Sequence, residues 1–319
     1  MAKEKLLSYI IPEEVIKTNI SCIDYATGGG IIPGTTVQLV SESGIGKSTI
    51  CIEIARNFCN QQKRVLYLDS EGSITKETLL SVGITDTMLN DTFYYVREST
   101  FENVEKVLDK FLNAIKFDLV IIDSIASLIS DDFINTKSSI TTKNSNINSR
   151  PLALFVNKYN SIAKSSEISF IFVNHFRNRI DSRVGTILKE YGCKSVKYNS
   201  DIILKIMPLK STGKSKDFLK LPMLVQGNML EIEVVKSNRM APGFKIPLFL
   251  IYGRGISELY QLIYALLKTN IVVEENSYYK YEENGVIYKR HGFEDLYNSI
   301  KSLLDNKEVM SKVKDFYTK

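Results

Sequence analysis

The segment VQLVSESGIGKSTICIEIARNF joins an aliphatic run to an amphipathic one through a turn that holds Gly44 and Gly46, with Lys47, Ser48 and Thr49 directly behind it. This is the spacing G-x-x-x-x-G-K-[ST], except that Ser41 stands at the first glycine. Its chemistry is phosphate binding. Between a strand and a helix, small residues let the backbone of Ser43, Gly44, Ile45 and Gly46 converge on phosphate oxygens, and the helix adds its positive N-terminal end. Lys47 is then placed for the β- and γ-phosphates, Ser48 for a Mg²⁺ ion and Thr49 for the α-phosphate side. Ser41 leaves this mechanism intact, because its position turns the chain and is not expected to touch the γ-phosphate. The competing reading is an ordinary glycine-rich turn.

A nucleoside triphosphatase also needs a carboxylate on the metal side, at the C-terminal end of a buried strand. DLVIIDS supplies Asp123 after four aliphatic residues. A second carboxylate must polarise the attacking water. RVLYLDSEG places Asp69 and Glu71 just past another apolar run, and Glu71 is the candidate general base. The alternatives are a helix cap for Asp123 and a solvated turn for Glu71.

These residues need a scaffold. From Thr35 onward, short aliphatic runs alternate with helical patterns: TTVQLV, Lys47 to Gln62, RVLYLD, Thr75 to Val82, TFYYV, Phe101 to Ile115, DLVIID. That order predicts an α/β fold with a mostly parallel sheet and helices on both faces. ISFIFV continues the sheet; DIILKI, MLEIEVV and IPLFLIY follow without helices between them, so the far edge is expected to be antiparallel. Two stretches break the pattern. Asn135 to Ser149 is mostly Ser, Thr and Asn, and Arg177 to Lys194 is rich in Arg and Lys; both are expected to be functional loops. The tail changes character again, with the hairpin pattern YYKYEENGVIYKR and then apolar residues at helical spacing from Phe293 to Leu304.

The 319 residues, with 44% hydrophobic and 24% charged, exclude global disorder. No apolar run approaches the length of a membrane span, and four unpaired-looking cysteines and two histidines point away from a disulfide framework or structural zinc, hence to the cytoplasm. A net charge of +5 is a mild bias toward polyanions.

Taken in order, SESGIGKST, YLDSEG, VIIDSIASL, FVNHFRNRI, KSVKYNSDI, VVKSNRMAP and LIYGRGISE resemble the RecA family of DNA strand-exchange ATPases, most closely its phage recombinases of the UvsX type, from about Asn19 to the end. The resemblance implies a RecA-like P-loop ATPase core over residues 19–256, an N-terminal oligomerisation segment over 1–18 and a small α/β C-terminal domain over 257–319. It makes Glu71 the catalytic glutamate, and Asn174 and His175 the pair that senses the γ-phosphate; RecA itself has glutamine where His175 stands. It makes residues 131–150 and 177–194 the DNA loops, the second with Arg177, Arg179, Arg183, Lys189 and Lys194 on backbone phosphates and Ile180 as a wedge between bases.

By the same resemblance, Lys236 reaches a neighbouring protomer's γ-phosphate, with Arg239, one position later than the family's second cation, as its companion. Tyr252 packs near the adenine, and Tyr198 is an interface aromatic. The C-terminal domain would gather duplex DNA through basic residues such as Lys280, Lys289 and Arg290. The implied cofactors are ATP and Mg²⁺. The implied partners are single-stranded DNA, homologous duplex, further copies of the chain in a helical filament, and single-strand-binding and loader proteins, with no membrane involved. Two other functions fit the same motifs: a RecA-fold ring helicase, for which few residues precede Ser41, and a recombination accessory that binds ATP without useful turnover.

Overall fold

The computed structural model describes residues 14–135, 148–181, 185–190, 194–209, 227–276, 278–283, 285–300, 311 and 313. These fall into two compact units, residues 1–207 with 232–245, and residues 208–231 with 246–319.

The first unit is built on a sheet that starts with β1 (Thr36–Ser41), after the short helix α1 (Ser21–Thr27). Helix α2 (Lys47–Asn60) follows the glycine turn, and then come β2 (Val65–Asp69), the short helices α3 (Lys76–Ser81) and α4 (Asp86–Asp91), β3 (Phe93–Arg97), α5 (Phe101–Ala114) and β4 (Leu119–Asp123). After α6 (Asp131–Asn135) and α7 (Ser149–Ser166) the chain forms β5 (Ser169–Asp181), β6 (Gly185–Glu190), α8 (Lys194–Asn199) and β7 (Ile202–Pro208). The strand order is β7-β1-β5-β4-β2-β3, and every neighbouring pair in it is parallel. The Ile232–Lys236 half of β8 (Gly227–Lys236) lies outside β7.

Parallel strands covered on both faces should read as unbroken apolar runs, and β1, β2 and β4 are buried at every position. On one face Leu66, Leu68, Val120, Ile122, Phe170 and Phe172 pack with Val104 and Leu108 of α5 and Phe155 and Tyr159 of α7. Truncating such a ring to alanine costs about 3–5 kcal/mol. Thr100 caps α5, its hydroxyl accepting from the Asn103 N–H.

The second unit pairs β9 (Lys245–Ile251) antiparallel with β10 (Gly255–Ile256). Ser257 then caps α9 (Glu258–Lys268). The hairpin expected in the tail is there as β12 (Tyr278–Glu283) and β13 (Val286–His291), with β11 (Val272–Glu275) as a third antiparallel strand. Helix α10 (Gly292–Ser299) follows.

Arg177 to Lys194, expected as an irregular loop, is instead largely ordered ribbon. β5 runs on to Asp181 and pairs antiparallel with β6, with Arg177 opposite Lys189 and Arg179 opposite Ile187. An antiparallel two-stranded ribbon needs no apolar alternation, so nothing in its composition announces it. Of the other expected loop, residues 131–135 and 149–150 are helical and 136–147 lie outside the described residues, as do 1–13 of the N-terminal segment.

Candidate active site

Register brings the candidate residues together. Ser41 stands opposite His175 and Val40 opposite Asn174 across β1 and β5, while Asp69 stands opposite Asp123 across β2 and β4. All lie at the carboxyl edge of the parallel sheet, where open α/β sheets bind their ligands, although β5 itself runs on past it.

The glycine turn forms as expected. Gly44 and Gly46 have φ of +76° and +107°, conformations that suit glycine, and a Cβ on Gly44 would meet no atom within 4 Å, so the turn is open where phosphate must approach. Ser43 and Gly44 are exposed, and Ile45 turns its side chain into the core, leaving only its backbone for the turn. Lys47 is buried. Its ammonium donates to Ser41 Oγ (2.9 Å) and to the Glu42 carbonyl (2.8 Å), and lies 3.2 Å from His175 Nδ1. Burial lowers its pKa, opposed by the carboxylates of Asp123 and Glu71.

His175 bridges the site. Ser43 Oγ lies 3.2 Å from the same Nδ1, and on the other side of the ring Nε2 is 2.9 Å from Glu71 Oε1. The Asn174 side chain is buried, its Oδ1 accepting from the His175 N–H at 2.8 Å. The histidine bond, with help from Ser124 and Ser127 and against partial burial, holds the Glu71 carboxyl down to about 2.

Asp69 does not face the ligand side as an equal partner of Glu71. Its carboxylate accepts from the N–H groups of Glu71 (3.0 Å), Gly72 (2.7 Å) and Ile74 (3.1 Å) and from Tyr95 Oη (2.8 Å), so it builds the turn that presents Glu71. Asp123 is buried, and desolvation raises its pKa while hydrogen bonds from Ser48 and from Tyr67 Oη (2.7 Å) oppose the rise. Ser48 beside a buried carboxylate is a pair of hard oxygen donors, and it fits Mg²⁺. Thr49 stands one residue further along the first turn of α2, partly exposed.

The remaining candidates are placed as follows. The Lys236 ammonium donates to the carbonyls of Ser200 (2.6 Å) and Tyr198 (2.9 Å), at the C-terminal end of α8. Arg239 is exposed and lies over Gly28, where a Cβ would meet its Cβ at 2.7 Å. Neither touches the glycine turn of its own chain in any described contact. Tyr198 is 72% exposed. Tyr252 belongs to the second unit and donates to Asn228 Oδ1 at 2.8 Å. Arg177, Arg179, Ile180 and Lys189 occupy the β5–β6 ribbon, Lys194 begins α8, and Arg183 lies outside the described residues. Sequence reasoning missed Ser124, Ser127 and Tyr67. For the serines, the only signal is that they flank the strand end at a three-residue spacing in DSIAS.

An open glycine turn ahead of a buried lysine, with the Asp123 and Glu71 carboxylates near the ends of adjacent strands, is the arrangement of a P-loop nucleoside triphosphatase of the RecA fold. The family model of the RecA N-terminal domain matches residues 8–257. Protein RecA of Arthrobacter sp. (strain FB24) is 25% identical over 304 residues, 95% of this chain and 81% of the relative. Protein RecA of Nostoc sp. (strain PCC 7120 / SAG 25.82 / UTEX 2576) is 23% identical, with 94% and 79% covered, and that of Streptomyces coelicolor 26%, with 85% and 69%. The chain belongs to the RecA family: it is a RecA-type recombinase, and with that a DNA-dependent ATPase.

Proposed function

We propose that ATP seats its phosphates on Ser43 to Thr49, and that its hydrolysis governs a filament of this chain on single-stranded DNA, which then pairs with homologous duplex. The observation that carries this reading is the unbroken series Lys47, His175, Glu71. It links the phosphate end of the site to the base, through a residue of the strand that runs on into the basic ribbon. Lys47 neutralises the β- and γ-phosphates, Glu71 orients the attacking water, and Asn174 and His175 report the γ-phosphate to β5. Ser48 and Asp123 would hold Mg²⁺, which supplies charge neutralisation between the phosphate oxygens. The resemblance assigns Tyr252 to the adenine, and it assigns Lys236 and Arg239 to a neighbour's nucleotide, which makes turnover depend on assembly.

Arg177, Arg179 and Lys189 of the ribbon, together with Arg183 and Lys194, grip backbone phosphates, and Ile180 separates bases; such contacts read no sequence. Residues 1–18 serve oligomerisation, 19–256 the ATPase and DNA loops, and 257–319 the gathering of duplex DNA. The histidine at position 175 favours the phage, UvsX-like branch, in a host cytoplasm, with single-strand-binding and loader proteins as partners.

Glu71→Gln tests the core of the reading. It should abolish DNA-stimulated hydrolysis while ATP binding persists, and undiminished turnover would remove Glu71 from the mechanism. Electron microscopy with ATP, Mg²⁺ and single-stranded DNA should show helical filaments. Closed hexamers would make the chain a helicase, and isolated protomers a non-hydrolysing accessory.

A further inference from the structure

We infer that Ser127 is a positioning residue for hydrolysis: together with Ser124 it ties one oxygen of the Glu71 carboxylate, leaving the other to hold the attacking water. This rests on the reading of Glu71 as the water-side carboxylate. The described side-chain hydrogen bonds to Glu71 all fall on Oε1, from Ser124 Oγ at 2.8 Å, Ser127 Oγ at 3.0 Å and His175 Nε2 at 2.9 Å. A carboxylate left free turns broadly about its last torsion, so loading one oxygen fixes the plane of the group and the direction of the other oxygen's lone pairs.

The two serine oxygens are themselves 2.8 Å apart. Glu71 Oε1 and the two hydroxyls form a triangle of contacts that shares two protons. Either both hydroxyls donate to Oε1, or one donates to the other and that one donates to Oε1. Every arrangement ends on Glu71, so Ser127 acts on it directly or through Ser124.

The serines differ in what else they do. Ser124 is buried and stitched to the Glu71 turn: its N–H donates to Ser70 Oγ (2.8 Å) and its carbonyl accepts from the same hydroxyl (2.7 Å). Ser127 is partly exposed, held by its N–H on the Ser124 carbonyl at 3.2 Å. Among the described contacts, its hydroxyl meets only Glu71 and Ser124. A hydroxyl with those partners serves the site and not the core, and this makes it separable from folding.

The test is steady-state ATPase with saturating single-stranded DNA for Ser127→Ala, Ser127→Thr, Glu71→Gln and the Ser127→Ala/Glu71→Gln double variant, with residual rates taken from single-turnover measurements. Ser127→Ala should lower kcat about three- to tenfold with KM for ATP held within about twofold, since Ser124 still supplies one donor. Threonine keeps the hydroxyl and should restore most of the rate. In the Glu71→Gln background, Ser127→Ala should add nothing. An unchanged kcat for Ser127→Ala, a loss confined to KM, or the same fractional loss with and without Glu71 would overturn the assignment. If Glu71→Gln hydrolyses undiminished, the base reading falls; if it is silent while Ser127→Ala is unimpaired, only the Ser127 assignment falls.

Discussion

Replacing Lys236 with methionine separates a role within its own chain from one toward a neighbour. The ammonium lies 2.6 Å from the Ser200 carbonyl, 2.9 Å from that of Tyr198 and 3.5 Å from that of Lys197, so it closes the end of α8 where carbonyls lack helical partners. A hydrogen bond from a charged donor contributes about 1.5–3 kcal/mol when well formed. Lys236 is half-buried and water can reach the carbonyls it leaves, so the net loss for Lys236→Met should be about 1–2 kcal/mol. In a domain of this size that lowers the unfolding midpoint by about 3–6 °C.

Arg239→Met is the control, because an exposed guanidinium over Gly28 should contribute under about 0.5 kcal/mol. Both variants are to be unfolded by heat and by urea without nucleotide, in high salt and at low protein concentration, where protomers stay apart. The same pair is then compared for DNA-stimulated hydrolysis against protein concentration. Equal unfolding midpoints for the two variants would refute the cis role. If the cis role holds and hydrolysis also falls by more than the stability loss explains, the result supports an exchange of the helix end for a neighbour's phosphate on assembly.

At Gly72, φ is +66° and an added Cβ would overlap Nη2, Nε and Cζ of Arg97. Gly72→Ala should therefore cost about 1–2 kcal/mol and slow hydrolysis by displacing Glu71, and adding Arg97→Ala should recover the steric part but not the backbone part; full recovery in a urea titration would refute the φ argument. Glu71 has its carboxyl held at about 2 in the folded chain, against an ordinary 4.5. Its contribution is therefore complete above about pH 4.5 and lost as pH falls toward 2. With the group one-third exposed, about 1 kcal/mol is at stake, so Glu71→Gln should lose less stability than the parent between pH 6 and 3.

The ATPase core was legible because its signals are local. A buried strand ending in Asp123, a glycine turn before Lys47 and a carboxylate two residues past β2 each sit within one short window, and the apolar runs of β1, β2 and β4 are continuous because both faces are covered. What escaped is non-local or lacks a period. His175 meets Glu71 from 104 residues away, and Lys236 meets α8 from beyond β7. Helix α4 buries none of its residues, so it has no apolar stripe to betray it and stands on its Thr85 cap. Ser127 gains its meaning only from the turn that Asp69 builds on a different strand.

Continuity of β5 puts His175 and the outer ribbon on one strand. The strand enters the sheet at Ser169, passes Asn174 and His175 at the ligand edge, and reaches Asp181 without a break in its thirteen residues. At about 3.3 Å per residue, His175 and Asp181 are about 20 Å apart along one extended backbone. A loop over that distance would absorb a displacement in its torsions. A strand paired to β6 along its outer half can only shift or twist with its partner. Arg177 follows His175 by two residues and stands opposite Lys189 in the backbone register, so on the proposed reading a change in what His175 bonds should reach these two positions before it reaches Asp181 and Gly185. On the proposed reading, the coupling should therefore be graded along the ribbon. Substitutions at its base should disturb nucleotide and DNA binding together, and substitutions at its tip DNA binding alone.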